Sequence, residues 1–333
     1  MTDRSVRGVF WNDDQNRPRA LWRLGVALVL LIAAGVLALL ATSALAALAP
    51  DTAPATPTAL LNTAAVFAPY AAFSGALLVA AHLVDRRRLR DIGLAFVPDW
   101  WADLAFGFAL GVALPGLVFA LELLTGSLRV TGTLVTRPDP FLAVGSGVAP
   151  LLTLALTFCF FVGVGAFEEL LFRGYLFVNL AEGFDGFLGT SRRGALAGAA
   201  ALTSVGFGVV HAANPSATAL ALVNVSLFGG FFAASYLLTD RIAVAVGFHI
   251  AWNFAVSSVF GFPVSGISTP VTVVAVEVTG PPLLTGGDFG PEGGLFALVA
   301  LVAGCGALAA WVRWREGELR VHDDVAVPEF RDR

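Results

Sequence analysis

The stretch LLTLALTFCFFVGVGAFEELLFR, residues 151–173, decides the fold. From Leu151 to Phe167 it carries no charge, and then, with no turn residue intervening, come Glu168, Glu169 and Arg173. An apolar helix of about 20 residues is what crossing a bilayer requires. Ionisable groups inside such a helix are costly unless they meet partners or water, so they mark a functional centre. Two later apolar stretches carry polar residues at the same four-residue spacing: Phe207 with His211, and His249 with Asn253.

The whole chain shares this character. Of its 333 residues, 57% are hydrophobic and 13% charged, and the mean hydropathy is +0.80. A soluble domain is about half apolar and a quarter charged. The composition therefore implies an integral membrane protein, and the short connections between apolar runs imply a single membrane-embedded unit. Every basic residue is Arg and none is Lys, which points to a GC-rich or salt-adapted prokaryotic genome. Cys159 and Cys305 lie in apolar runs and read as core residues, not as a disulfide or thiolate metal site.

Windows of about 20 apolar residues predict spans near 22–48, 60–84, 101–124, 148–180, 194–212, 217–238, 242–260 and 294–312. The expected fold class is all-α, a polytopic transmembrane helix bundle of about eight spans. The first apolar run is too long for the core of a signal peptide and is expected to remain as an anchor. Arginines cluster before the first span (Arg4, Arg7, Arg17, Arg19, Arg23) and after the second (Arg86, Arg87, Arg88, Arg90). They recur after the fourth (Arg192, Arg193), the sixth (Arg241) and the eighth (Arg313, Arg315, Arg320). The alternate loops 49–59, 213–216 and 261–293 have none; only the third-to-fourth connection, with Arg129 and Arg137, departs from the alternation. Basic residues flank spans on the cytoplasmic side, so both termini are expected there, in a multi-pass protein of the cell membrane. Three regions follow: 1–140, N-terminal membrane helices and cytoplasmic arm; 141–260, the core with the polar motifs; 261–333, an extracytoplasmic loop, the last span and a cytoplasmic tail. The loop reads as a cap in which Val271 to Val278 can form a strand; it also holds Glu277, Asp288 and Glu292.

Residues four apart lie one turn above each other on a helix. Glu169 can therefore pair with Arg173, Phe207 can stack on His211, and His249 lies beside Asn253. Adjacent Glu168 and Glu169 are about 100° apart around the axis, so one is structural and the other chemical. Because an Arg guanidinium stays charged, Glu169 is the structural member, and Glu168 is left to face a cavity as a base. His82 and His322 flank charged ends and read as solvated, and Glu122 as interfacial. No phosphate-binding glycine loop and no His-Glu-x-x-His helix is present, and nothing suggests nucleic-acid binding.

At these residues the chain resembles the CPBP group, the CAAX-protease and bacteriocin-processing family of intramembrane proteases, which holds the type II CAAX prenyl endopeptidases and the Abi proteins. Phe167 to Leu176 looks like the first family motif, Gly206 to His211 the second and Phe248 to Asn253 the third; Leu89 to Leu94 is similar to a weaker feature ahead of them. The likeness covers Val148 to Phe260. It implies hydrolysis of a peptide bond in a membrane-embedded protein or peptide, or a prenyl-like substrate, at the lipid bilayer. Glu168 with His211 would activate water, and His249 with Asn253 would stabilise the oxyanion, while Glu169, Arg173 and Phe207 support the site. A competing assignment makes Glu168, His211 and His249 three ligands of a catalytic zinc. It leaves no clear carboxylate base, so the metal-free scheme is preferred. Two other classes stay open: a non-catalytic membrane scaffold or immunity-type protein, and a proton-coupled transporter. The substrate and the oligomeric state are not legible.

One difficulty is geometric. His249 lies about 12 Å along its helix from Arg241, but His211 lies about 27 Å from the pair Arg192 and Arg193, near the opposite face of an upright bundle. Either the connection Ala212 to Ser216 is buried at membrane depth, where it would line a cavity, or the helices around it tilt or enter only partway.

Overall fold

The computed structural model describes residues 7–48, 55–137 and 147–330. Arg4, the start of the Ala49–Thr58 linker (49–54) and residues 138–146 of the third-to-fourth connection lie outside the described residues. Apolar helices make up the bundle: α1 (Ala20–Leu48), α2 (Ala55–Val79, continued by a π-helical turn Ala80–Val84) and α3 (Pro98–Leu124). The continuous segment Pro150–Phe184 is α4, followed by α5 (Arg192–Val210) and α6 (Ala219–Thr239). Then come α7 (Ala243–Phe254, continued as a π-helix Ala255–Val259) and α8 (Leu295–Glu316). Among the described residues, seven of these helices are long and apolar enough to cross a membrane; α7 with its continuation, Ala243–Val259, is shorter.

The segment expected as the seventh span is thus a central rod. Every residue of α7 from Ala243 to Asn253 is buried, as a helix apolar on all sides must be. It crosses α3 at backbone contact, because small residues let helices approach closely. A Cβ on Gly107 or Gly111 of α3 would come within 2.2 or 2.5 Å of the carbonyl oxygens of Val244 or Phe248; one on Gly247 would come within 2.2 Å of that of Leu104. Beyond the bundle, β1 (Leu128–Thr136) pairs antiparallel with β2 (Val271–Val278), from Leu128 opposite Val278 to Thr136 opposite Val271, with a bulge between Val130 and Gly132. The strand expected at Val271 to Val278 exists, and its partner comes from the third-to-fourth connection.

The depth difficulty resolves through α4. Its 35 residues extend roughly 50 Å, well beyond a hydrocarbon core of about 30 Å. The chain reverses just past its end, where Gly186 N–H donates to the Thr190 carbonyl (3.0 Å) and Arg192 pairs with Asp185 (3.2 Å). Arg192 is therefore level with the protruding end of α4, not with Arg241. Glu168 lies roughly 24 Å from Phe184 and His211 roughly 28 Å from Arg192, so the two are level on adjacent antiparallel helices. No buried connection is needed. Ala212, Ala213, Pro215 and Ser216 are exposed, which corrects that branch of the expectation.

One other expectation is overturned. Cys159 and Cys305 are exposed on the outside of the bundle, where an apolar thiol meets lipid as readily as core. Glu122 is fully buried, and neither of its carboxylate oxygens is hydrogen-bonded. The chain turns back immediately after it, with Ser127 N–H donating to its carbonyl (2.8 Å), and β1 begins at Leu128.

Candidate active site

The first motif lies where α4 changes its winding: α-helical through Glu169, π-helical over Leu170–Phe177, α-helical again over Val178–Phe184. Such π-helical segments often occur at functional sites. Arg173 sits on this segment, fully buried, and its Nη1 lies 3.0 Å from each Glu169 carboxylate oxygen. Its Nη2 donates to the Gly229 carbonyl (2.9 Å), and its guanidinium lies over the rings of Phe207 (4.6 Å) and Phe232 (5.0 Å). Gly229 leaves room for this approach, since a Cβ would sit tightly, 3.1 Å from Nη2 and 3.0 Å from Ser204 Cα. The expected brace of Glu169 and Arg173 is present.

Glu169 has a second partner that helix geometry did not reveal: its Oε1 lies 2.8 Å from His249 Nδ1, across 80 residues of sequence. Paired with the Arg173 guanidinium, the carboxylate is the acceptor of this bond, so Nδ1 donates. His249 Nε2 then faces Glu168, whose Oε2 lies 3.9 Å away and has no hydrogen-bond partner. Glu168 is the less buried of the two adjacent glutamates. Glu169 thus has two close partners, Arg173 and His249, and Glu168 Oε2 has none among the described residues.

His211 terminates α5, and its Nδ1 lies 2.7 Å from the Phe207 carbonyl one turn back. A carbonyl accepts only, so Nδ1 donates and Nε2 remains the basic nitrogen of the neutral ring. The Phe207 ring touches both imidazoles edge-on, His211 at 4.8 Å and His249 at 5.8 Å between centroids. His249 also stacks on Phe232 (5.6 Å, 14° between planes). Phe207, His211, His249 and Asn253 line one cavity of about 30 Å³, together with Trp252, Ser265 and Glu292. That volume holds one or two waters. Glu168 does not line it, and approaches it through His249.

Two contributors were missed at the level of sequence. Trp252 Nε1–H donates to Glu292 Oε1 (3.0 Å), and Ser265 N–H to Glu292 Oε2 (2.9 Å). Glu292 had been read only as part of an outer cap; the signal available was a carboxylate in a loop, 262–293, that carries no Arg. As for the zinc alternative, among the described residues no three His, Cys, Asp or Glu side chains are grouped to hold a metal ion. Glu168 and His249 face each other, but His211 does not join them as a third donor.

The residues from Pro150 through Ala255 match a family model described as type II CAAX prenyl endopeptidase Rce1-like, over 150–255. No curated protein and no solved structure matches the chain. The matched stretch runs from the start of α4 to the end of α7 and so contains all three motifs and every residue of the Glu169, His249 and His211 constellation. This is a multi-pass membrane protein, about a third of which, residues 150–255, is similar to the Rce1-like type II CAAX prenyl endopeptidases.

Proposed function

We propose that this protein is an intramembrane endopeptidase that hydrolyses a peptide bond of a membrane-associated or prenylated substrate, with Glu168 and His211 activating water and His249 and Asn253 binding the oxyanion. The observation that carries this reading is the chain of contacts Arg173, Glu169, His249, Glu168, with a free carboxylate oxygen at one end and a buried guanidinium at the other. Hydrolysis needs a base for water and preorganised donors for the oxyanion. His211 offers Nε2 to the cavity wall as the base that assists Glu168. His249 donates from Nε2 in its doubly protonated form, with Nδ1–H on Glu169. Asn253, on the same face of α7 one turn later, donates from its amide.

The test is cleavage of an internally quenched farnesylated CAAX peptide by full-length protein in lipid nanodiscs. Glu168→Ala and His211→Ala are expected to lower kcat by about 10²- to 10⁴-fold, the span of general-base catalysis, and Asn253→Ala by about 10²- to 10³-fold, as for one oxyanion donor. Full activity in all three variants would overturn these residue roles, and wild-type protein that cleaves nothing would leave a scaffold or transporter instead. Metal analysis of the purified protein, with activity before and after chelation, tests the mechanism: stoichiometric zinc required for turnover would overturn the metal-free scheme.

A further inference from the structure

The loop between α7 and α8 delivers a third carboxylate into the site. Glu292 stands in a 3-10 turn, Pro291–Gly293, entered through Gly290 at φ +100°, where a Cβ would come 1.9 Å from the Pro263 carbonyl oxygen. The turn is pinned to α6: Asn224 Nδ2 donates to the carbonyls of Glu292 (2.8 Å) and Gly294 (2.9 Å). Ser265, which offers its N–H to the carboxylate, does so from a left-handed backbone (φ 49°) that non-glycine residues disfavour. Gly266 N–H donates to the Phe289 carbonyl (2.8 Å), so both ends of the loop close on the cavity.

For a cap, this arrangement is uneconomical. Glu292 is 5% exposed, and among the described residues it has no ion-pair partner. A buried carboxylate without a directly paired cation is costly, and the charge of His249 facing it offsets that cost only in part. Its two oxygens each accept one N–H, from Trp252 and Ser265, so an acid proton on it is left to point into the cavity that it lines with His211, His249 and Asn253. His249, Trp252 and Asn253 share one face of α7, which sets the carboxyl beside the pair assigned to the oxyanion.

We propose that Glu292 is the general acid of this site, giving its proton to the amine nitrogen as the scissile C–N bond breaks. The inference rests on the endopeptidase reading above. Water adds to the carbonyl carbon and leaves a proton on Glu168 or His211, while the oxyanion accepts hydrogen bonds from His249 and Asn253. Collapse reforms the carbonyl, the C–N electron pair stays on nitrogen, and nitrogen takes the Glu292 proton. As the amine leaves, the proton taken from water returns to Glu292. One water is consumed and no redox partner is needed. Burial pushes the Glu292 carboxyl up to about 7, against the opposing pull of the Ser265 and Trp252 donors, a value suited to an acid working at neutral pH. The titratable groups facing it are His249 and, across the cavity, His211. Asp288 lies in the preceding turn, α6 faces it with Asn224, and the nearest titratable group of α8 is Cys305.

The experiment compares two probes in nanodiscs: the quenched farnesylated CAAX peptide, and a farnesylcysteine 4-nitrophenyl ester whose phenolate leaves without a proton. Glu292→Gln is expected to lower kcat on the peptide by about 10²-fold or more, to spare the ester within about tenfold, and to abolish the fall in peptide cleavage above about pH 7. Equal loss on both probes, or an unchanged rate on the peptide, would overturn the assignment. Should Glu292→Gln not fold, the wild-type profiles decide: an alkaline limb near pH 7 for the peptide but not the ester supports it, and identical limbs overturn it. Glu168→Ala is expected to lose both activities. Wild-type protein inert toward both probes would overturn the endopeptidase reading and this inference with it.

Discussion

At the scale of single residues, the site is organised by what each donor can do with its one fixed partner. His249 and His211 both have Nδ1 committed, one to a carboxylate and the other to a helical carbonyl, so both work from Nε2. Glu169→Gln replaces an acceptor-only group by one that also donates, and strands Arg173 in the core. Loss of one member of a buried ion pair costs about 3–5 kcal/mol, so a lower melting temperature in detergent and loss of cleavage are expected together. Glu292 makes a separate prediction about stability. Its folded-state value of about 7 lies above the ordinary carboxylate value of 4.5, so between those pH values the folded protein holds a proton that the unfolded chain has lost. Its contribution is present below about pH 4.5 and is lost as pH rises through about 7, amounting to roughly 3 kcal/mol. Melting temperatures across pH 5–8 should fall less steeply for Glu292→Gln than for wild type; parallel curves would count against this.

At the scale of elements, α7 is the support on which the site depends, and its packing explains why glycines recur on α3. Gly247→Val would drive side-chain atoms into the Leu104 carbonyl, already 2.2 Å from a single added Cβ. Overpacking costs about 1–3 kcal/mol or more, and here it also shifts His249 two residues away. The expected result is a lower melting temperature with cleavage lost out of proportion; Gly306→Val on α8, where a Cβ meets nothing within 4 Å, should change neither. Helix α4 shows the same dependence of function on element geometry. Its length carries the α4–α5 hairpin beyond the bilayer, and that protrusion levels His211 with Glu168.

At the scale of the whole molecule, the protruding ends are tied to the N-terminal segment by charge. Glu182 near the end of α4 accepts from Arg17 (2.5 Å), Arg23 (3.1 Å) and Arg87 (2.6 Å). Asp85 beside them is bonded by Tyr175 Oη–H (3.1 Å) and Asn179 Nδ2 (2.8 Å). The three arginines are buried, so one carboxylate joins α1, the end of α2 and α4. Glu182→Gln leaves three buried guanidiniums facing Asp85, and a loss of about 3–5 kcal/mol follows. Faster limited proteolysis of the segment before α1 is the readout, and unchanged cutting would show that the network is not what holds it.

How much of this was legible in the chain depends on the range of the interaction. Hydropathy located the helices, because crossing a bilayer sets a length that composition alone reveals. The four-residue period placed Arg173 on Glu169 and Phe207 beside His211, because those contacts close within one helical turn. The bond from Glu169 to His249 and the insertion of Glu292 against Trp252 and Ser265 join residues 80, 40 and 27 apart, where no periodicity operates. The depth of His211 does not follow from its distance to Arg192, because Arg192 and Arg241 lie at different levels and the unusual length of α4 is what separates them. The amino-acid sequence by itself determined a helical membrane protein with its polar motifs, since those follow from local solvation and helix geometry. Tertiary structure alone decided which glutamate holds His249, that α7 is a buried core, and that the loop 262–293 closes on the site, because each depends on which distant surfaces pack together.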